Sequence, residues 1–177
     1  MTSDSRQIEG YVGATDPGDA SEYSAFYRRE FRPVARTVYL IVHDPQRAED
    51  LTQEAFLRLL QHWPKVSRYE RPGAWVRRVA IRLATKHVRR ERMRGLREGT
   101  TTPAPSPEPV DLDVLRAIAL LPPQQRAVVV LFYFEDRPIS EIVDLLACTE
   151  SAAKVWLHRA RHRLADILRE QVDDDVS

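Results

Sequence analysis

Between Gly95 and Pro109 the chain loses almost all of its apolar side chains. Only Leu96 and Ala104 interrupt a run of glycine, threonine, serine, charge and the prolines Pro103, Pro105, Pro107 and Pro109. A segment with so little to bury cannot join a core, so it reads as a flexible, extended tether between two separate halves. In a chain of 177 residues each half has room for one small domain, and 43% hydrophobic residues supply enough material for packed cores.

The pattern on both sides of the tether is helical, with no alternation of the β type. After a polar lead-in (residues 1–20), Ser21 offers an N-cap. Tyr23, Phe26, Tyr27, Phe31, Val34, Val38 and Ile41 then recur at helical spacing. Pro33 falls inside this helix and is expected to bend or split it. Asp44 caps the next helix and Pro45 takes its first position. Along it Ala48, Leu51, Ala55 and Leu59 form an apolar stripe, with Asp50, Gln53, Glu54 and Arg58 on a polar face. This helix is expected to end near His62, because Trp63 precedes Pro64 and a residue before proline avoids the α region. A loop to Arg71 follows, and Pro72 opens a third helix reaching about Arg94. Residues 21–94 therefore read as a three-helix domain and residues 95–110 as the linker.

Beyond it, residues 111–172 read as a four-helix unit. Pro122 and Pro123 break one helix and start another, a break near Asp136 to Pro138 precedes a short helix ending about Leu146, and the last helix runs to about Val172. An acidic tail, residues 173–177, closes the chain. Ala147, Cys148 and Thr149 form a tight turn between the last two helices, with Thr149 as N-cap. Two helices joined by a three-residue turn are the helix-turn-helix plan. The expected fold is all-α: two small helical domains on a flexible linker.

The formal net charge of +1 conceals a strong segregation. Arg68 to Arg97 holds eleven basic and two acidic residues, a difference of +9. Lys154 to Arg169 holds five basic and one acidic, a difference of +4, while Glu98 to Asp113 carries four acids and no base. A single basic run is often no more than a solvated helix face. Two of them, one on a helix with Trp75 and one on the second helix of a helix-turn-helix, suit two separate contacts with phosphate backbone. On the last helix Ala153, Leu157, Ala160, Leu164 and Leu168 form an inward stripe. Early residues of such a helix reach base edges, which makes Glu150, Ser151 and Lys154 candidates, with His158, Arg159 and Arg161 suited to phosphates. Trp156 suits core packing.

Other classes find little support. Cys148 is the single cysteine, so no internal disulfide forms. His158 and His162 lack a third metal ligand nearby. No glycine-rich phosphate loop or nucleophile–base pair is recognisable. The expectation is a protein without catalytic activity, cofactor or metal. No segment resembles a secretory signal or a membrane span, which suggests a cytoplasmic location without membrane insertion.

Four strings then fit one family. Ala48 to Leu59 (AEDLTQEAFLRL) resembles the region 2 signature of extracytoplasmic-function (ECF) RNA polymerase sigma factors of the sigma-70 superfamily. Arg71 to Ala80 (RPGAWVRRVA) is similar to the promoter-melting segment that follows, and Leu121 to Val128 (LPPQQRAV) with Leu157 to Arg161 (LHRAR) is similar to region 4. The resemblance extends over about Tyr23 to Leu168 and implies a promoter-directing, transcription-initiating partner of core RNA polymerase. It implies polymerase docking through Asp50, Gln53, Glu54 and Leu57. The opened −10 strand would meet Arg71, Trp75, Arg77, Arg78, Arg82, Lys86, Arg89 and Arg90, with Trp75 either receiving a base or packing at the helix start. Duplex −35 DNA would meet Thr149, Glu150, Ser151, Lys154, His158, Arg159 and Arg161. An anti-sigma factor is a further implied partner. The sequence departs from the family pattern at Arg82 (commonly asparagine), at Ala147 (usually glycine), and at Val155 and Trp156, where small polar and basic residues are more usual. The competing reading is a stand-alone helix-turn-helix regulator of duplex DNA, which accounts for the second half but leaves the first unexplained.

Overall fold

The computed structural model describes residues 17–98 and 112–175, and among them every regular element is helical. The lead-in up to residue 16 and most of the expected linker lie outside the described residues. The first half contains α1 (Pro17–Val42), α2 (Pro45–Val66) and α3 (Pro72–Glu98). The second contains α4 (Leu112–Ala119), α5 (Pro123–Val129) continued by a π-helical turn (Val130–Phe134), α6 (Ile139–Leu146) and α7 (Glu150–Asp175).

Several boundaries follow from local chemistry. Asp44 accepts a hydrogen bond from the Arg47 backbone N–H at 2.9 Å, and Pro45 starts α2 where its missing N–H costs nothing. Pro123 likewise takes the first position of α5, with no side-chain cap before it. Three expectations are corrected. Helix α1 begins at Pro17, so Ser21 lies within the helix and does not cap it. Neither Pro33 nor Pro64 ends a helix: α1 passes through Pro33 unbroken and α2 runs on to Val66. The reason is the same at both prolines. Each faces solvent, as do Arg29 and Leu60, whose carbonyls lose their partners and can meet water instead. The buried residues Phe26 and Val34 anchor α1 on either side of Pro33, and Trp63 and Val66 anchor α2 on either side of Pro64. Burial of Trp63, whose ring lies 5.1 Å from Phe26 and 5.3 Å from Tyr23, overrides the local preference before Pro64. At the far end α7 continues to Asp175, past the expected Val172.

The core is continuous across both halves. Val34, Val38 and Ile41 of α1 meet Ala55, Phe56 and Leu59 of α2 and Val76, Ala80 and Ala84 of α3, while Ile118, Val128, Leu131, Ile142 and Leu157 form the second centre. Helix α3 packs against α5 and α6 as well as against α1 and α2, and the π-helical turn touches α1. The two halves therefore lie directly against one another.

Candidate nucleic-acid interface

Helix α2 buries Ala48, Leu51, Thr52, Ala55, Phe56 and Leu59 and turns Asp50, Gln53, Glu54 and Leu57 outward. The acids are held by neighbours one turn away: Asp50 by Arg47 and Gln46, Glu54 by Arg58. Leu57 is 61% exposed and Leu60 is 42% exposed. Two bare leucines among charges are more than a solvated face requires, and they match the make-up of a protein-docking surface, apolar at its centre and polar at its rim.

Helix α3 buries Val76, Ala80, Ile81, Ala84 and Val88 along one face, so the charge falls on the remaining positions. Arg82, Lys86, Arg89 and Arg90 are exposed, and Lys86, Arg89, Arg90, Met93 and Arg94 line a shallow cleft. At the N-terminal end the side chains are more enclosed. Trp75 is half-buried with its ring 5.6 Å from that of His62, and it packs on the core edge, so both of its expected uses are compatible with its position. Arg78 is half-buried. Arg77 is paired with Glu30 of α1 at 3.6 Å and with Glu135, just past the π-helical turn, at 3.2 Å. Arg71 lies 3.6 Å from Glu141 of α6. The structure thus leaves Arg82, Lys86, Arg89 and Arg90 open along α3 and holds Arg77 in largely buried ion pairs.

Helices α6 and α7 meet through Ala147 in the left-handed conformation (φ 50°, ψ 52°), where the Cys148 N–H donates to the Val143 carbonyl at 3.2 Å. Thr149 caps α7, accepting from the Ala152 N–H at 3.1 Å. Glu150 and Lys154 pair along the exposed first turn, and the ammonium beside Glu150 lowers its pKa. Ser151, Lys154, His158 and Arg159 are exposed, whereas Ala153, Leu157 and Ala160 are buried. Val155 is 41% exposed and Trp156 is half-buried against the core, so the two departures from the family pattern present one apolar surface and one packing residue. Arg161 is tied down, donating to the Tyr133 hydroxyl at 2.6 Å with its guanidinium over the Phe132 and Tyr133 rings. The His158 and His162 rings meet edge to face with centroids 4.5 Å apart, and no group of three potential metal ligands occurs among the described residues.

Two further features escape sequence reading. Glu135 gathers the Thr37 hydroxyl (2.8 Å), Arg77 and Arg137 around one carboxylate. His43, in a left-handed conformation at φ 59° and 6% exposed, closes α1 beside Arg126. Thr37 and Arg77 lie tens of residues from Glu135, as Arg126 does from His43, and no local pattern marks these contacts.

Comparison with known proteins identifies the family. Residues 26–94 match the sigma-70 region 2 family model and residues 111–164 the sigma-70 region 4 model. The chain is 31% identical over 163 residues to the RNA polymerase sigma-E factor of Streptomyces coelicolor, which spans 85% of this chain and 88% of that one. It is 30% identical over 178 residues to the ECF RNA polymerase sigma factor BldN of the same organism, spanning 94% and 67% respectively. Two solved structures share its fold at 17% identity. One is the sigma factor RpoE in complex with the anti-sigma factor NepR from Bartonella quintana (TM-score 0.67; 84% of this chain, 98% of that one). The other is CnrH in complex with the cytosolic domain of CnrY (TM-score 0.61; 86% and 91%).

Proposed function

This chain belongs to the sigma-70 family of RNA polymerase sigma factors, which direct the polymerase to promoters and start transcription, and from that premise we propose which surfaces do the work. Residues 21–94 act as region 2 and residues 111–172 as region 4, with residues 95–110 as the tether between them. The exposed face of α2, with Asp50, Gln53, Glu54 and Leu57, docks on core polymerase. Helix α3 takes the melted −10 strand: Arg71, Arg77, Arg78, Arg82, Lys86, Arg89 and Arg90 neutralise its phosphates and Trp75 offers a ring for an unstacked base. The start of α7 enters the duplex major groove at the −35 element, with Glu150, Ser151 and Lys154 toward base edges, and with Thr149, His158, Arg159 and Arg161 toward the backbone.

The observation that carries this reading is the coexistence of the leucine-bearing acidic face on α2 with the open basic stripe on α3. A regulator that works alone on duplex DNA has use for the second half only. On this reading the protein is not itself an enzyme, since RNA synthesis stays with the polymerase. It acts in the cytoplasm, and an anti-sigma factor is the partner that holds it back; the fold relative RpoE is in complex with an anti-sigma factor, NepR. No helix among the described residues is long and apolar enough to cross a membrane.

The test is run-off transcription with purified core polymerase on templates carrying randomised −35 and −10 elements. Transcripts that depend on the protein, and share selected promoter sequences, support the assignment. Binding to duplex DNA alone, with no polymerase association, would favour the stand-alone regulator.

A further inference from the structure

Arg161 of α7 is exposed, yet its guanidinium is held in one place. Its Nε donates to the Tyr133 hydroxyl at 2.6 Å, and the central carbon of the guanidinium lies 5.6 Å from the ring centroids of both Phe132 and Tyr133. Those two rings meet edge to face, at 79° with centroids 5.0 Å apart, so they form a corner in which the cation sits. Phe132 is half-buried and packs on the core, while Tyr133 is 49% exposed. Both belong to the π-helical turn Val130–Phe134, and Tyr133 precedes Arg161 by 28 residues.

A ring left half in water with a long cation pinned beside it is more than the core requires. What the arrangement supplies is order. A free arginine side chain samples many rotamers and loses that freedom when it grips a phosphate, whereas one already held loses less. The bond to Tyr133 uses only the Nε–H. The N–H groups on the terminal nitrogens meet no acceptor among the described residues, and they form the fork that matches two phosphate oxygens. Lys154, His158 and Arg161 follow one another at i, i+4 and i+7, so Arg161 continues the exposed side of α7 that begins at its first turn.

We propose that Tyr133 is a positioning residue for DNA: it holds Arg161 with its terminal fork presented to one phosphate of the −35 duplex backbone. The inference rests on the assignment of α7 to that duplex, and it adds a residue from outside the two helices of the helix-turn-helix. Tyr133 acts through Arg161 and not by its own contact with DNA. Its contribution therefore shows as affinity while Arg161 is present and disappears once Arg161 is replaced.

The experiment titrates the full chain, in complex with core polymerase, against a labelled promoter duplex chosen by the run-off selection, over a series of salt concentrations. Arg161→Met should lower the slope of log affinity against log salt by about 0.9, the loss of one phosphate contact. Tyr133→Phe keeps the ring and removes the acceptor, and should weaken binding about three-fold. Tyr133→Leu removes both and should weaken it about ten-fold, within the range for immobilising one long side chain. In the Arg161→Met chain either Tyr133 substitution should change affinity by less than about two-fold, since nothing is left to position. Tyr133 effects that persist undiminished in that chain overturn the proposal. So do Tyr133 substitutions without effect in the parent chain, or a salt slope that Arg161→Met leaves unchanged. If Tyr133→Leu melts early, Tyr133→Phe alone decides by the same comparison. If the chain does not associate with polymerase, the same set is read with the chain alone on a labelled random-sequence duplex pool. The expected pattern there leaves the positioning role intact and removes the sigma assignment, so the two fail separately. No duplex binding in either setting overturns both.

Discussion

The guanidinium of Arg126, buried in α5, donates to the backbone carbonyl of Ile41 at 2.8 Å across 85 residues of sequence. The same group donates to the carbonyls of Ala119 and Leu121 at the end of α4. Helix C-termini leave carbonyls without partners and carry the negative end of the helix dipole. Two such ends converge on Arg126, one from each half of the chain. One cation therefore caps two helices and ties the halves together. Burial pushes its pKa down to about 10, helped by the charge of Arg92, which still leaves it protonated at neutral pH.

Replacing Arg126 by methionine keeps much of the apolar stem and removes every donor. The carbonyls of Ile41, Ala119 and Leu121 then lose a charged partner in a place water reaches poorly. Hydrogen bonds to charged groups contribute about 1.5–3 kcal/mol each, and the relieved desolvation of the cation offsets part of that, so a net loss of about 2–4 kcal/mol is expected. Urea unfolding of the two chains measures it. A loss below about 0.5 kcal/mol, the scatter of ordinary surface substitutions, would show that the cap contributes nothing net.

His43 sits beside that cap, and its ring is held neutral. Burial, and then the charge of Arg126, push its pKa down from 6.5 to about 4. The unfolded chain takes up the proton first as pH falls, so the neutral folded form is favoured in full above about 6.5 and loses ground steadily between there and about 4. At about 1.36 kcal/mol per pKa unit, the loss from this group between pH 7.5 and 4.5 is on the order of 2–3 kcal/mol. Asparagine tolerates the positive φ of 59° and does not titrate, so His43→Asn should flatten the pH dependence of urea stability by about that amount. Equal slopes for the two chains would mean that the ring is not held neutral.

The sequence makes some of this legible and hides the rest for a physical reason. Asp44 with Pro45, Pro122 with Pro123, and Thr149 act through the backbone within a few residues, and each fixes its helix start as its chemistry dictates. Pro33 and Pro64 mislead because their cost depends on which side of the helix they face, a tertiary property. The stripes on α2 and α7 are periodic and therefore readable, as are the exposed positions between them. Thr37 with Glu135 and Ile41 with Arg126 are contacts between distant segments, and no local propensity signals them. Arg77 reads as an open phosphate ligand from its neighbours in sequence, yet a residue beyond the tether holds it.

Ala147 provides a local test. Its φ of 50° places a Cβ where left-handed backbone costs an L-residue about 1–2 kcal/mol. Glycine removes that strain but adds freedom to the unfolded chain, worth about 0.4–1 kcal/mol in the other direction. Ala147→Gly should therefore raise stability by about 0.5–1 kcal/mol, read as a higher urea midpoint at unchanged slope. A lower midpoint would show that the Ala147 methyl makes packing contacts that outweigh its strain.

The proposed docking face on α2 gives the sharpest separation of folding from function. Leu57 is 61% exposed, so the fold gains little from it, and Asp50 bonds only to neighbours on its own exposed helix surface. Exposed substitutions of this kind usually change stability by less than about 0.5 kcal/mol. At a protein interface the same residues count differently. A leucine at the centre of a desolvated patch and an acid placed opposite a cation each contribute on the order of 1–2 kcal/mol, and reversing the charge turns attraction into repulsion. Leu57→Asp and Asp50→Lys should each weaken association with core polymerase at least about ten-fold, at about 1.4 kcal/mol per decade, while thermal unfolding stays where it was. Labelled core polymerase titrated against each chain reads the affinity, and a melting curve reads the fold. A substituted chain that melts normally and still binds polymerase at full strength would move the docking surface off α2.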